Sequence, residues 1–181
     1  SLFSAGTIHV DDNDWVSADT TISNSSIIGS GSWDYLTLSG KALGTTVFSM
    51  DRGTDYVMFT GATIGGGSIA GGAGNDTMVF TSATVGSAAN ISIFAGAGAD
   101  SIYFASSAKL ASTATTAYIW DGAGNDTIVF AQGLTNFAGA SDAGVFIGLN
   151  TEGSSNNVVS LGGYGTSAGV SQAFRFAGAS G

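Results

Sequence analysis

Apolar residues recur along this chain at fixed distances from a series of turn residues, here called the anchors. Successive anchors are 20, 21, 21, 24, 26 and 31 residues apart: Asp14, Asp34, Asp55, Asp76, Asp100, Asp126 and Asn157. Two residues after the anchors stand Val16, Leu36, Val57, Met78, Ile102, Ile128 and Val159. Four residues after them stand Ala18, Leu38, Phe59, Phe80, Phe104, Phe130 and Leu161. Because alternate residues of a strand share one face, each run predicts a short strand with one buried face.

Two further apolar series accompany the anchors. Seven residues before five of them stand Ile27, Phe48, Ile69, Ile93 and Ile119. A looser series follows each anchored strand: Ile22, Leu43, Ile64, Val85, Leu110 and Leu134. No long 3.6-residue pattern survives among the glycines, so no helix is predicted. The repeats predict an all-β fold, a parallel β-solenoid (β-helix or β-roll-like) of about seven coils, whose stacking at ~4.8 Å closes a continuous core.

The pattern predicts one solenoid domain over residues 1–181, without a linker. Residues 1–29 form an N-terminal coil or cap, 30–161 the regular coils, and 162–181 a C-terminal cap. The lengthening intervals predict extra loop residues near Ser106–Thr115 and Ala131–Ser141. Apolar residues come in runs of two to four, which are too short to span a bilayer.

Composition and charge exclude several classes of partner. The chain carries a net charge of −9 with four basic residues, which disfavours nucleic acid and anionic membrane surfaces. It has no cysteine, so disulfides and thiolate metal sites are excluded. Its 29 glycines suggest low complexity, but 44% hydrophobic residues argue against disorder.

A glycine-rich turn precedes three of the anchored strands. The run Gly71–Phe80 reads Gly-Gly-Ala-Gly-Asn-Asp-Thr-Met-Val-Phe, and it recurs with few changes at Ala95–Phe104 and Asp121–Phe130. These turns resemble the nonapeptide of the repeats-in-toxin (RTX) family, Gly-Gly-x-Gly-x-Asp-x-apolar-x. The match is complete at Gly71–Val79, strong at Asp121–Val129 and fair at Ala95–Tyr103. The motif marks one edge of each coil, and the coils are longer than two nonapeptides.

The RTX resemblance implies a β-roll with calcium between stacked turns, bound by backbone carbonyls and the turn aspartate. By matching position, the implied ligands are Gly72, Gly74, Asp76, Gly96, Gly98, Asp100, Gly122, Gly124 and Asp126. In the alternative, each aspartate accepts hydrogen bonds from backbone N–H groups of its own turn. Stacked carboxylates repel by ~1 kcal/mol per pair at a wet surface, which favours a cation. Both interpretations stay open at this point.

The positions one and three residues after the anchors face away from the predicted core. The fourteen positions carry no charge: Trp15, Ser17, Tyr35, Thr37, Tyr56, Met58, Thr77, Val79, Ser101, Tyr103, Thr127, Val129, Val158 and Ser160. Eight of them are apolar or aromatic, and such a patch usually marks an interaction site. We expect contact with another subunit or a partner protein through Trp15, Tyr35, Tyr56, Met58, Val79, Tyr103 and Val129. In the alternative, the loop Ala131–Ser141 covers this face.

Catalytic chemistry has little support in the sequence. His9 is the only histidine and Glu152 the only glutamate, and P-loop, Rossmann and HExxH motifs are absent. We therefore expect a non-enzymatic structural protein that self-assembles or decorates a surface. A surface layer, an extracellular filament or matrix, or a virion surface would suit it, with calcium as a stabilising ion. The alternative is a carbohydrate-binding or adhesive module in which Trp15, Trp33, Trp120 and tyrosine residues stack on sugar rings.

Overall fold

The computed structural model describes residues 2–4, 6–110, 115–131, 144–149, 156–161 and 174–178. These ranges are all-β and contain no helix. The strands are β1 (Leu2–Ser4), β2 (Thr7–His9), β3 (Trp15–Ala18), β4 (Thr21–Ser23), β5 (Ser26–Ile28), β6 (Tyr35–Leu38), β7 (Lys41–Ser49), β8 (Tyr56–Thr60), β9 (Thr63–Ala73), β10 (Thr77–Thr81), β11 (Thr84–Val85), β12 (Ile91–Gly98), β13 (Ser101–Phe104), β14 (Lys109–Leu110), β15 (Thr116–Gly124), β16 (Thr127–Phe130), β17 (Gly144–Leu149), β18 (Val158–Ser160) and β19 (Phe174–Gly178).

Seven strands form one parallel sheet, in the order β3-β6-β8-β10-β13-β16-β18. Each of them begins one residue after an anchor. The strands pair without a shift, so residues at the same distance from their anchors lie side by side, as Met78 does with Val57 and Ile102. The register predicted from the anchors is therefore confirmed from Trp15 to Ser160.

The second sheet has twelve strands, with the path β1-β4-β7-β9-β12-β15-β17-β19 and the shorter β2, β5, β11 and β14 beside it. Every pairing is again parallel. The series seven residues before the anchors is confirmed: Ile27, Phe48, Ile69, Ile93 and Ile119 pair in turn. Ile8 continues this series at one end and Ile147 at the other.

The looser series was wrong at one coil. Ile22 pairs with Ala42, and Ala42 pairs with Ile64, so the buried position belongs to Ala42 and Leu43 lies opposite Ser23. The register shifts between Ala42 and Thr45, where Gly44 has a φ of 71°. The extra residue of this β-bulge therefore lies after Ala42, the apolar residue of this coil. The remaining members Ile64, Val85 and Leu110 pair as predicted, and Leu134 lies outside the described residues.

The two sheets share one apolar core, built from the positions two and four residues after the anchors and from the inward residues of the second sheet. Phe59, Phe80, Phe104 and Phe130 stack ring on ring, with centroids 4.6–5.0 Å apart. One coil cannot bury such side chains alone, so burial depends on the neighbouring coils. The parallel β-solenoid has about five turns rather than about seven. The prediction of about seven coils included the two terminal coils, those of Asp14 and Asn157. In these coils Val16 and Val159 are only partly buried.

Candidate functional site

The anchor side chains form a hydrogen-bonded ladder along one corner of the solenoid. From Asp55 to Asn157, the Oδ1 atom of each anchor accepts a hydrogen bond from the backbone N–H of the anchor one coil earlier. The bonds run from Asp34 to Asp55 (2.7 Å), Asp55 to Asp76 (2.8 Å), Asp76 to Asp100 (2.8 Å), Asp100 to Asp126 (2.9 Å) and Asp126 to Asn157 (2.9 Å). The alternative to calcium that the sequence left open placed backbone N–H donors in the same turn. Among the described bonds only Asp34 has one, from Ser30 at 2.8 Å.

The asparagine that precedes an anchor bonds in the opposite direction. Oδ1 of Asn75 accepts from the N–H of Ala99, and Oδ1 of Asn125 accepts from the N–H of Asn156, both at 2.8 Å and both one coil later. An Asn-Asp pair therefore binds the coil on either side of its own. The sequence pattern gave this asparagine no role of its own, so its bond to the next coil was missed.

The second carboxylate oxygen of four anchors has no hydrogen-bond partner. Oδ2 of Asp55, Asp76, Asp100 and Asp126 is buried and unpaired, and these residues are only 2–3% exposed. Such atoms are rare in folded proteins, and each calls for a proton, an ion or a water. Asn157 accepts the same ladder bond with an amide oxygen. A carboxylate is therefore not required for the hydrogen bond itself.

Burial raises the pKa of these carboxyl groups. Desolvation is the largest cause, and it raises the pKa of Asp55 and of Asp100 from 3.8 to about 7, against the opposing effect of the ladder hydrogen bond. The pKa values of Asp76 and Asp126 are raised for the same reason. The neighbouring charges that act on Asp55 belong to Asp76, Asp34 and Asp51, which are all acidic. A proton or a cation would relieve this repulsion.

Glycine is required where the turns pack on one another. Gly98 has a φ of 149°, and a Cβ there would collide with the carbonyl oxygen of Gly74 one coil earlier. A Cβ on Gly71 would lie 2.6 Å from Oδ2 of Asp76, so the carboxylate of Asp76 packs against the glycine that opens its own turn. The six glycines of the predicted calcium set lie in this stacked corner, each with a positive φ. Within the described ranges no three His, Cys, Asp or Glu side chains converge as a metal centre. A cation here would also need backbone oxygens.

A second carboxylate, which the sequence did not single out, lies close to the end of the ladder. Asp121 is 1% exposed, and its Oδ2 accepts a hydrogen bond of 2.6 Å from Nδ2 of Asn157. The same amide group accepts the N–H of Asp126 through its Oδ1. Asn157 lies 36 residues after Asp121 and 31 residues after Asp126 in the sequence. The only sign of this contact in the sequence is that Asp121 stands where the turn Gly71–Phe80 has its first glycine.

The outer face of the seven-stranded sheet carries the predicted aromatic column. Trp15 is 74% exposed, and its ring meets the edge of Tyr35 with centroids 5.0 Å apart. Tyr35 stacks in parallel on Tyr56 at 4.8 Å, and the hydroxyl of Tyr56 lies 4.0 Å from Sδ of Met58. Tyr103 is exposed further along, and Val79 and Val129 are half-buried. The loop proposed to cover this face lies outside the described residues except for Ala131.

The outer face of the twelve-stranded sheet carries a second aromatic cluster. Phe94 and Trp120 are adjacent in register and exposed, and Phe146 lies 5.4 Å from Trp120 and 5.9 Å from Tyr118 between ring centroids. The ring of Trp120 extends over Gly148, where a Cβ would collide with it. The sequence pointed to Trp120 and to tyrosines in general, whereas Phe94 and Phe146 were missed because they come from two other strands, β12 and β17.

Of the two residues weighed for catalysis, His9 is exposed in β2 and Glu152 lies outside the described residues. Asp11, Asp12 and Asp14 are exposed in the turn that follows β2. In the described part of the chain, no helix is long and apolar enough to cross a membrane. Comparison of the whole chain with protein-family models, curated proteins and solved structures finds no match.

Proposed function

We propose that this chain is a non-enzymatic structural protein that assembles with further copies of itself or with other structural subunits. The observation that carries this proposal is the column of Trp15, Tyr35 and Tyr56 on a sheet face without charged residues, in which Trp15 is exposed and the two stacked tyrosines are half-buried. Aromatic side chains exposed on a flat apolar surface are typical of interaction sites. The proposed setting is a cell surface, an extracellular filament or matrix, or a virion surface.

The distribution of charge supports the same face. A chain of net charge −9 repels its own copies, so close approach is cheapest where the surface carries no charge. The described acidic residues lie elsewhere: Asp11, Asp12, Asp14, Asp19 and Asp51 are exposed in turns, and the anchors from Asp34 to Asp126 are buried in the corner. The neutral sheet face is therefore the expected contact surface.

We further propose that calcium stabilises the solenoid by binding along the ladder. The support is the set of buried Oδ2 atoms that have no partner, which fits an oxygen-seeking cation. Asp76, Asp100 and Asp126 would hold it, together with backbone carbonyls of Gly72, Gly74, Gly96, Gly98, Gly122 and Gly124. When bound, calcium supplies positive charge between like-charged carboxylates.

The test of assembly is size-exclusion chromatography with light scattering, with and without chelator. We expect the parent chain to elute as an oligomer and the double variant Tyr56→Lys, Met58→Lys to elute as a folded monomer. The matched control is Thr45→Lys, Ala88→Lys, which adds the same charge at two exposed positions away from this face. A parent that stays monomeric, or a Tyr56/Met58 variant that assembles like it, would refute the proposal.

The second candidate function is carbohydrate binding, which the cluster of Phe94, Tyr118, Trp120 and Phe146 favours. Exposed aromatic rings beside hydroxyl-bearing residues such as Ser92 offer an apolar platform and hydrogen bonds at once. A glycan-binding module should bind oligosaccharide as a monomer, and Trp120→Ala should remove that binding. An assembly subunit should keep its oligomeric state in the same variant.

A further inference from the structure

We propose that the outer face of the twelve-stranded sheet binds an uncharged polysaccharide, whose chain lies along the solenoid axis across Phe94 and Trp120. This surface, called the glycan face, consists of two neighbouring columns of side chains: Ser68, Ser92, Tyr118 and Phe146, and beside them Ala70, Phe94, Trp120 and Gly148. The inference rests on carbohydrate binding, the second candidate function, and names the ligand class of that site. It does not depend on the proposed assembly.

The two aromatic groups of the molecule differ in whether their ring faces are open. A sugar ring packs its apolar C–H groups on the flat face of an aromatic ring. Tyr35 and Tyr56 lie 4.8 Å apart at 8° to each other, so each covers a face of the other. Trp120 and Phe146 are tilted by 55° instead, and Trp120 is 38% exposed. The glycan face is therefore better suited to a sugar ring than the stacked tyrosines are.

The strand register sets the direction of the bound chain. Phe94 and Trp120 pair on β12 and β15, so their side chains begin one coil apart, ~4.8 Å along the solenoid axis. This interval is comparable with the length of one sugar ring, so neighbouring sugars of one chain can each contact an aromatic ring. Ala70 precedes Phe94 in the same column, and Ser68 lies beside it. Because these side chains are small, the polysaccharide can continue over them past Phe94.

Hydroxyl groups lie beside the aromatic rings. Ser68 and Ser92 pair in register, and both are half-buried. They alternate with the buried Ile69 and Ile93, which places their hydroxyls on the outer face. Tyr118 continues the same column with a phenol. A hydroxyl group both donates and accepts hydrogen bonds, as the hydroxyls of a sugar do. The glycan face thus offers apolar contact in one column and hydrogen bonds in the next.

Charge selects the class of polysaccharide. None of the residues of the glycan face is charged, and the whole chain carries a net charge of −9. An anionic polysaccharide would be repelled by the chain and would find no cation on this face to pair with its carboxylates or sulfates. An uncharged polysaccharide meets neither obstacle. The expected ligand is therefore neutral.

The glycan face and the proposed assembly face do not compete. The two sheets enclose one core, so their outer faces lie on different sides of the solenoid. One molecule can therefore bind a polysaccharide while the column of Trp15, Tyr35 and Tyr56 contacts another subunit. An assembly would present several glycan faces to one polymer, which raises the apparent affinity without any new contact.

The test is affinity electrophoresis of the full chain in native gels. The gels contain hydroxyethylcellulose, galactomannan, dextran or soluble starch as neutral polymers, and alginate as an anionic one. The parent chain and the variant Tyr56→Lys, Met58→Lys are run side by side, so that binding is measured independently of assembly. We expect at least one neutral polymer to retard both proteins, and alginate to retard neither.

The variants locate the site. We expect Phe94→Ala and Trp120→Ala each to lower the affinity for the retarding polymer by about tenfold or more. Phe94→Ala keeps the test decisive if Trp120→Ala folds poorly, since Trp120 also covers Gly148. Ser92→Ala should weaken binding to a smaller extent. The matched control is Trp33→Ala, because Trp33 is 51% exposed in a turn outside both sheets and should bind like the parent.

Four results would overturn the glycan face. If alginate retards the chain as strongly as the neutral polymers, the ligand class is wrong. If Trp33→Ala or Trp15→Ala loses binding while Phe94→Ala retains it, the site lies elsewhere, and carbohydrate binding itself survives. If light scattering shows that Phe94→Ala and Trp120→Ala turn an oligomeric parent into a monomer, this face contacts another copy of the chain. If no neutral polymer retards the parent, both this inference and the second candidate function fail, whereas assembly is judged separately by light scattering.

Discussion

The backbone N–H of Asp76 donates a 2.8 Å hydrogen bond to Oδ1 of Asp100, one coil further along the chain. Oδ2 of the same Asp100 carboxyl group is buried and has no partner. One oxygen therefore holds two coils together, and the other has no described role in the fold. In each such side chain, Oδ1 therefore serves the structure, whereas Oδ2 is the atom available to a proton or an ion.

Two substitutions at Asp100 test this division. Asp100→Asn keeps the oxygen that accepts from the Asp76 N–H, as Asn157 does for Asp126. Asp100→Ala leaves that N–H without its acceptor, which costs about 1–3 kcal/mol of stability for a buried donor. We expect urea unfolding in chelator to rank Asp100→Ala clearly below Asp100→Asn. Equal stabilities of the two variants would show that the ladder bond contributes nothing.

The raised pKa values of Asp55 and Asp100 predict a loss of stability at high pH when no divalent cation is present. Both groups have a pKa of about 7 in the folded chain and an ordinary value of 3.8, so the folded state holds protons that the unfolded state has released. Their stabilising contribution is complete below the ordinary value and is lost as the pH rises through about 7. We expect the melting temperature in chelator to fall between about pH 4 and about pH 8.

If calcium binds the ladder as proposed, it should reduce this fall, because it would bind the carboxylate form and replace the lost proton. The control is Asp100→Asn, in which one of the titrating groups is missing and the fall should be smaller. A melting temperature that rises over this range in chelator would contradict the raised pKa values.

The stacked rings predict a strong asymmetry between the two faces of β13. Phe104 is fully buried between Phe80 and Phe130, and Phe104→Asp places an unpaired charge among these rings. We expect this variant to be unfolded at room temperature, by circular dichroism and by the loss of a cooperative thermal transition. Tyr103→Asp is the matched control, since Tyr103 is the adjacent residue on the outer face and is 38% exposed. It should stay folded. Wild-type stability of Phe104→Asp would refute the buried stack.

The sequence by itself determined the two sheets' core positions and most of their register. Strand side chains alternate with a period of two, so counting from the anchors was enough to place Met78, Ile102 and Ile128 in one buried row. The phenylalanine stack from Phe59 to Phe130 follows from the same count. Parallel in-register pairing needs no more information than a repeat of equivalent residues.

Only the tertiary structure shows where in a coil an extra residue is accommodated. It also decides which atoms of the turns contact one another between coils. The sequence placed Leu43 in the core, but the bulge at Gly44 gives that position to Ala42. Counting residues between anchors shows that one coil has an extra residue, but it does not show where in the coil that residue lies. The direction of the ladder bonds depends on which side of the turn each carboxylate points to. The meeting of Asp121 with Asn157, 36 residues away, depends on the path of a whole coil. Strand pairing and stacking between equivalent residues of successive coils can be predicted from the repeat, whereas the turn hydrogen bonds and contacts between non-equivalent residues require the positions of their atoms.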